Sequence, residues 1–61
     1  GKSEGRREER CEAIFELLED YGELPQDIRQ RIDTEKDMKR LKSWHKLAVR
    51  TRSIEEFRVA M

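Results

Sequence analysis

The sequence predicts an all-α fold: one long N-terminal helix followed by three short ones, a small helical oligomerisation module. Three observations predict it. Charged residues make up 46% of the chain and apolar residues 34%, yet the apolar ones recur three and four positions apart, the spacing of a helix face. Almost every position between them is Glu, Asp, Lys or Arg. The two valines, two threonines and four isoleucines nowhere alternate with polar residues, so no strand is predicted.

Residues 1–10 read as a charged low-complexity lead-in to a single helical module over 11–61. Glu4 with Glu8, and Arg6 with Arg10, are like-charged pairs four apart, which weaken a helix rather than support it. The first firm helix is predicted over about 7–21. Cys11, Ile14, Phe15, Leu17, Leu18 and Tyr21 fall within an arc of about 160° at 100° per residue. Glu8, Glu12, Glu16 and Glu19 take the opposite face. Gly22 is placed to end this helix with a positive φ.

Glu23-Leu24-Pro25 is the linker, and Pro25 suits the first turn of a second helix over about 25–32. Leu24, Ile28 and Ile32 form one line, with Asp27 in the first turn. A third helix is predicted over about 35–50, capped by Asp33 or Thr34, with Thr34 and Asp37 resembling a capping box. Met38, Leu41, Trp44, His45, Leu47, Ala48 and Val49 cover about 200° of it, wide enough to touch more than one neighbour. After Thr51-Arg52, the Ser53-Ile54-Glu55-Glu56 box opens a fourth helix over about 54–61, with Ile54, Phe57 and Met61 on one face.

Sixty-one residues make one small domain at most. Burying a large apolar side chain contributes about 1.5–3 kcal/mol, against about 1–2 kcal/mol per residue for ordering the backbone. A chain this polar balances near zero alone, and association with a second copy or a larger partner is the usual remedy. The expected core is Leu24, Ile28, Ile32, Met38, Leu41, Trp44, Ala48, Ile54 and Phe57. The expected oligomer interface is Cys11, Ile14, Phe15, Leu18 and Tyr21, because nothing N-terminal covers that stripe; a dimer follows as the simplest partner state.

Charge and cysteine usage narrow the function further. Fourteen basic and fourteen acidic residues cancel overall. Residues 1–23 hold four cations and eight anions, net −4, and residues 24–61 hold ten cations and six anions, net +4. Such halves can attract one another within a chain or between copies. Cys11 is the only cysteine, so no internal disulfide forms and a reducing, cytoplasmic setting fits. No apolar run approaches a bilayer-spanning length, and Gly1 to Arg10 never leads into the apolar core of a secretory leader. A chain opening on Gly is expected to be a fragment, or to start with tag residues.

No catalytic, cofactor-binding or metal-binding residues are expected, and the chain is not read as an enzyme. His45, the only histidine, could serve as a pH switch or general base, but reads as a boundary residue with one nitrogen hydrogen-bonded. Cys11 beside His45 would still need an orienting group and an oxyanion pocket to act as a nucleophile, and reads as a small core hydrophobe. The row Glu8, Glu12, Glu16, Glu19 reads as a solvated face rather than a metal cluster. Lys36, Lys39, Lys42, Lys46 and Arg50 lie within about 120° of one another and are the candidate nucleic-acid contacts, able to follow a phosphate backbone. Trp44 and Tyr21, the candidate stacking residues, sit on apolar arcs where they pack instead. With zero net charge, nucleic acid is not an expected partner of this segment alone.

Three stretches resemble a known family. Leu41-Lys42-Ser43-Trp44-His45-Lys46-Leu47-Ala48-Val49-Arg50 with Ser53-Ile54-Glu55-Glu56-Phe57 is similar to an L-K-x-W-x-K-L-A … S-I-E-E-F ending. Tyr21 to Arg29 resembles x-G-E-[IL]-P-x-[DE]-[IL]-R, and Glu4 to Glu9 resembles E-G-R-E-E-G spacers. Together they look like the C-terminal tail of the bacterial recombination-promoting nuclease and transposase family, in the PD-(D/E)XK nuclease-like superfamily. That family's nuclease residues lie in an N-terminal α/β domain with no match here. The resemblance implies a bacterial, cytoplasmic origin and a non-catalytic module that mediates self-association of a nuclease-like protein. It also implies an alternative, a separately expressed small antitoxin that inhibits the full-length nuclease by mixed oligomerisation. A basic-helix nucleic-acid-binding module is the reading from a different class.

Overall fold

Glu, Arg and Leu make up eleven of the first twenty residues and favour helix. In the computed structural model, which describes the backbone of residues 2–61 and side chains from Gly5 onward, the first helix, α1, spans Lys2–Glu19. It starts five residues earlier than the apolar pattern predicts. Two cations anchor the early turns. The Arg7 guanidinium donates to the Asp33 and Glu35 carbonyls at 2.9 and 3.3 Å, and Arg10 meets His45. Residues 5–10 are therefore part of the helical body rather than a separate lead-in. The Glu4 side chain, and with it the Glu4–Glu8 pair, lies outside the described residues.

The helix closes with Tyr21 N–H donating to the Leu18 carbonyl and Gly22 N–H to the Glu19 carbonyl. Gly22 has φ +146°, a backbone angle that side-chain-bearing residues rarely take. The space around it is open, so conformation and not crowding selects glycine here.

Helix α2 spans Gln26–Thr34. Pro25 stands just before it with φ −60°, and its carbonyl accepts from Arg29 N–H at 3.0 Å. Asp27 in the first turn and Arg31 in the last oppose the helix dipole. Helix α3 spans Met38–Arg50, and its cap is Asp37, whose carboxylate accepts from Lys39 N–H at 2.9 Å. The expected cap at Asp33 or Thr34 is corrected: the Thr34 hydroxyl donates back to the Gln30 carbonyl at 2.9 Å and so finishes α2. Helix α4 spans Ile54–Ala60. Ser53 accepts from Glu56 N–H at 3.1 Å, as the capping box requires, while the Glu56 carboxylate reaches one residue further back, to Arg52 N–H at 2.7 Å.

The contacts fix the topology. Arg7 meets the end of α2, and Glu19, at the other end of α1, pairs with Arg29, so α1 and α2 are antiparallel. Arg10 meets His45, and Tyr21 meets Ala48 and Thr51, so α3 runs parallel to α1. The last helix folds back to α2 through Arg58, which holds both Asp27 carboxylate oxygens at 3.0 and 2.8 Å.

All four helices feed one core of Cys11, Ile14, Leu18, Leu24, Ile28, Ile32, Leu41, Trp44, Ala48 and Phe57. Of the residues expected there, Leu24, Ile28, Ile32, Leu41, Trp44, Ala48 and Phe57 are buried; Met38 and Ile54 are half-buried and pack against it. The expected oligomer interface is corrected by the same packing. Cys11, Ile14 and Leu18 are only 3%, 0% and 0% exposed within a single chain. The three short helices close over the middle of the α1 stripe and leave only its edges for anything else.

Candidate interaction surface

The two edges of the α1 stripe differ in chemistry. On the α2 side, Phe15 lies under the Arg29 guanidinium, 5.1 Å from its ring centre, and Arg29 also reaches Glu19 at 3.5 Å. A cation on the ring face covers Phe15 from inside the same chain. Tyr21, at the end of the stripe, is 40% exposed, but its hydroxyl is 2.6 Å from the Thr51 carbonyl and 3.2 Å from the Ala48 carbonyl. Both residues expected at the oligomer interface are thus engaged within the chain.

The α3 side is different. A shallow groove runs between the two parallel helices, with Ala13 common to its two halves. Ala13, Leu17, Met38 and His45 are half-buried along it, and Val49 is 59% exposed. The half nearer the start of α1 is walled by Arg6, Arg10 and Lys42, with Glu9 beside them. The other half is walled by Glu16, Glu19 and Asp20. Arg10 Nη1 lies 3.4 Å from His45 Nδ1. A guanidinium only donates, so in this contact Nδ1 is the acceptor.

The remaining candidates separate in space. Cys11 is buried and donates its thiol hydrogen to the Ile32 carbonyl at 3.5 Å. Burial pushes its pKa above the ordinary thiol range; Arg7 opposes the rise, and Asp33 and Glu8 add to it. A neutral, buried thiol is a poor nucleophile. It faces α2, while His45 faces Arg10 on the other flank of α1, so the Cys11–His45 pairing weighed from sequence has no geometric basis. Glu8, Glu12, Glu16 and Glu19 are all exposed. Among the described residues, no three His, Cys, Asp or Glu side chains converge as metal ligands would.

Lys39, Lys42, Lys46 and Arg50 form an exposed row on α3, within about 80° at helical spacing. Lys36 is exposed too but precedes the helix. None of the five joins an ion pair among the described residues. Trp44 is buried in the core and Tyr21 is held by its hydroxyl, so neither is placed to stack on a base.

The sequence pattern places seven of the ten core residues, assigns Cys11, Ile14 and Leu18 to an interface instead, and does not reveal the groove. The signal was Ala13, a small residue midway between Arg10 and Glu16, set in an otherwise charged flank. No family model, curated protein or solved structure matches this chain. What the architecture defines is a class: a small all-α domain with one continuous core. No helix of the described residues is long and apolar enough to cross a membrane.

Proposed function

We propose that this chain is a non-catalytic association module, and that its partners are second copies of itself. The observation that carries the reading is the apolar band Ala13, Leu17, Met38 and Val49, left partly open between α1 and α3 after the rest of the chain has folded over its own core. A band of this kind rimmed by charge is the composition of a protein-contact surface. The likeness of three stretches to nuclease tails supports placing the module at the non-catalytic end of a nuclease-like protein, acting in the cytoplasm. There it would hold that protein in its oligomeric state, or, made alone as an antitoxin, enter a mixed oligomer with it.

Sedimentation equilibrium of the folded chain tests this. A surface of this extent belongs to the small, transient class, below about 1,200 Å² buried, so the range should run from about 1 µM to about 1 mM. Reversible dimer formation is expected. A monomer throughout would remove the reading.

A second reading rests on the exposed row Lys39, Lys42, Lys46 and Arg50, which has no ion-pair partner among the described residues and could follow a phosphate backbone. Fluorescence titration with duplex and single-stranded DNA at two salt concentrations decides it. Four phosphate contacts on duplex give a log-log salt slope of about −3.6; no binding at low salt discards the reading.

A further inference from the structure

We propose that two copies meet through the α1–α3 groove, antiparallel, about a two-fold axis passing at Ala13. This rests on the self-association reading above and adds its geometry.

The argument starts from spacing. Arg6, Ala13 and Asp20 are seven residues apart in turn and so lie on nearly one line along α1, Asp20 just past its last turn. Arg6 and Asp20 stand at equal distances from Ala13, roughly 10 Å each way at helical rise. Arg10 and Glu16 stand three residues either side of the same alanine. Glu9 apart, the charged side chains that line the groove from α1 are thus cations before Ala13 and carboxylates after it. The groove as a whole repeats the pattern. Its first half has three cations and one anion, Arg6, Arg10, Lys42 and Glu9, net +2; its second half has three carboxylates, Glu16, Glu19 and Asp20, net −3.

A two-fold axis is the operation that such a surface satisfies. It sets the cationic half of each copy on the acidic half of the other, so every favourable meeting occurs twice. A parallel arrangement would place like charge on like. Ala13 then faces its own counterpart, and its small side chain lets the two helices approach closely. Leu17 and Val49 flank that crossing, and the second copy would cover them. Glu19 is partly engaged by Arg29, so Glu16 and Asp20 carry the acidic half.

Charge reversal in trans tests the geometry. One variant carries Arg6→Glu with Lys42→Glu; the other carries Glu16→Lys with Asp20→Lys. All four side chains are exposed, and circular dichroism checks that each variant folds. Each alone should dimerise about tenfold more weakly than the parent, or less well still, because like charges now meet at both ends. Mixed one to one, they should form a heterodimer. Separately, Ala13→Cys should oxidise readily to a covalent dimer, while Val59→Cys, at a site 86% exposed on α4, should not. If the parent chain dimerises and both reversals leave its affinity unchanged, the two-fold is wrong and self-association stands. If the parent never dimerises, both fall.

Discussion

The Tyr21 hydroxyl donates to the Thr51 carbonyl at 2.6 Å, joining the turn after α1 to the end of α3 across 30 residues of chain. The carbonyls at a helix C-terminus have no partners within the helix, and this side chain supplies one from a distance. Tyr21→Phe keeps the ring and removes the donor. It should cost about 0.5–1.5 kcal/mol, which for a domain of this size lowers Tm by about 4–8 °C per kcal/mol. Thermal melts followed by circular dichroism would show it; an unchanged midpoint would mean that water replaces the hydroxyl at no cost.

Trp44 is the largest side chain of the core and is 6% exposed. Trp44→Ala should cost about 3–5 kcal/mol. A 61-residue domain has roughly 3–9 kcal/mol in total at typical stability per residue, so the variant should lose from about a third to all of its stability. Val59→Ala, on an exposed position, is the control and should stay within about 0.5 kcal/mol of the parent. Near-parental stability of Trp44→Ala in urea titrations would contradict the burial.

Cys11 sets an alkaline limit on stability. Its folded-state pKa is raised, chiefly by burial. Below the ordinary thiol range both folded and unfolded chains keep the proton, and the contribution is intact. As pH rises past that range the unfolded chain releases the proton first, so stability is lost progressively toward the folded-state pKa. Cys11→Ala should flatten that decline between about pH 8 and pH 10, relative to the parent. In native buffer the thiol should react slowly with a disulfide reagent, and at the rate of a free thiol once denatured. Fast native labelling would show that the site opens.

Ser53 tests the fourth helix. Its hydroxyl accepts from Glu56 N–H at 3.1 Å, and α4 carries Phe57 into the core. Ser53→Ala should cost about 0.5–2 kcal/mol, whereas Ser53→Asp should preserve most of the stability. Equal midpoints for the alanine and aspartate variants would show that Glu56, through Arg52 N–H, suffices to start the helix.

Periodicity made much of this legible. Ile28 and Ile32 sit on one line of α2 with Leu24 just before it, and Leu41, Trp44 and Ala48 on one face of α3; both sets fill the core. The Ser53 box opens α4 where the sequence places it. What periodicity could not tell is which neighbour covers a stripe. The line through Cys11, Ile14 and Leu18 has no partner within α1; the core it completes is assembled from helices that follow. Polar contacts were least legible. Arg7 on the end of α2, Arg10 on His45 and Tyr21 on Thr51 join residues 26 to 35 apart, and no local pattern announces them. The groove was hidden for the same reason: its walls come from two helices separated by a third.

The parallel course of α1 and α3 also bears on how the domain is made. Two helices can run side by side in one direction only when the chain has first travelled back between them, and here α2 is that return. The α1–α2 pair can zip together as a hairpin, but the Arg10–His45 meeting must wait for a closure of 35 residues, the slower event. The cleft where Ala13 lies thus exists only once that closure has been made. A half-made molecule has no such surface to offer, so recognition through it would be confined to finished copies.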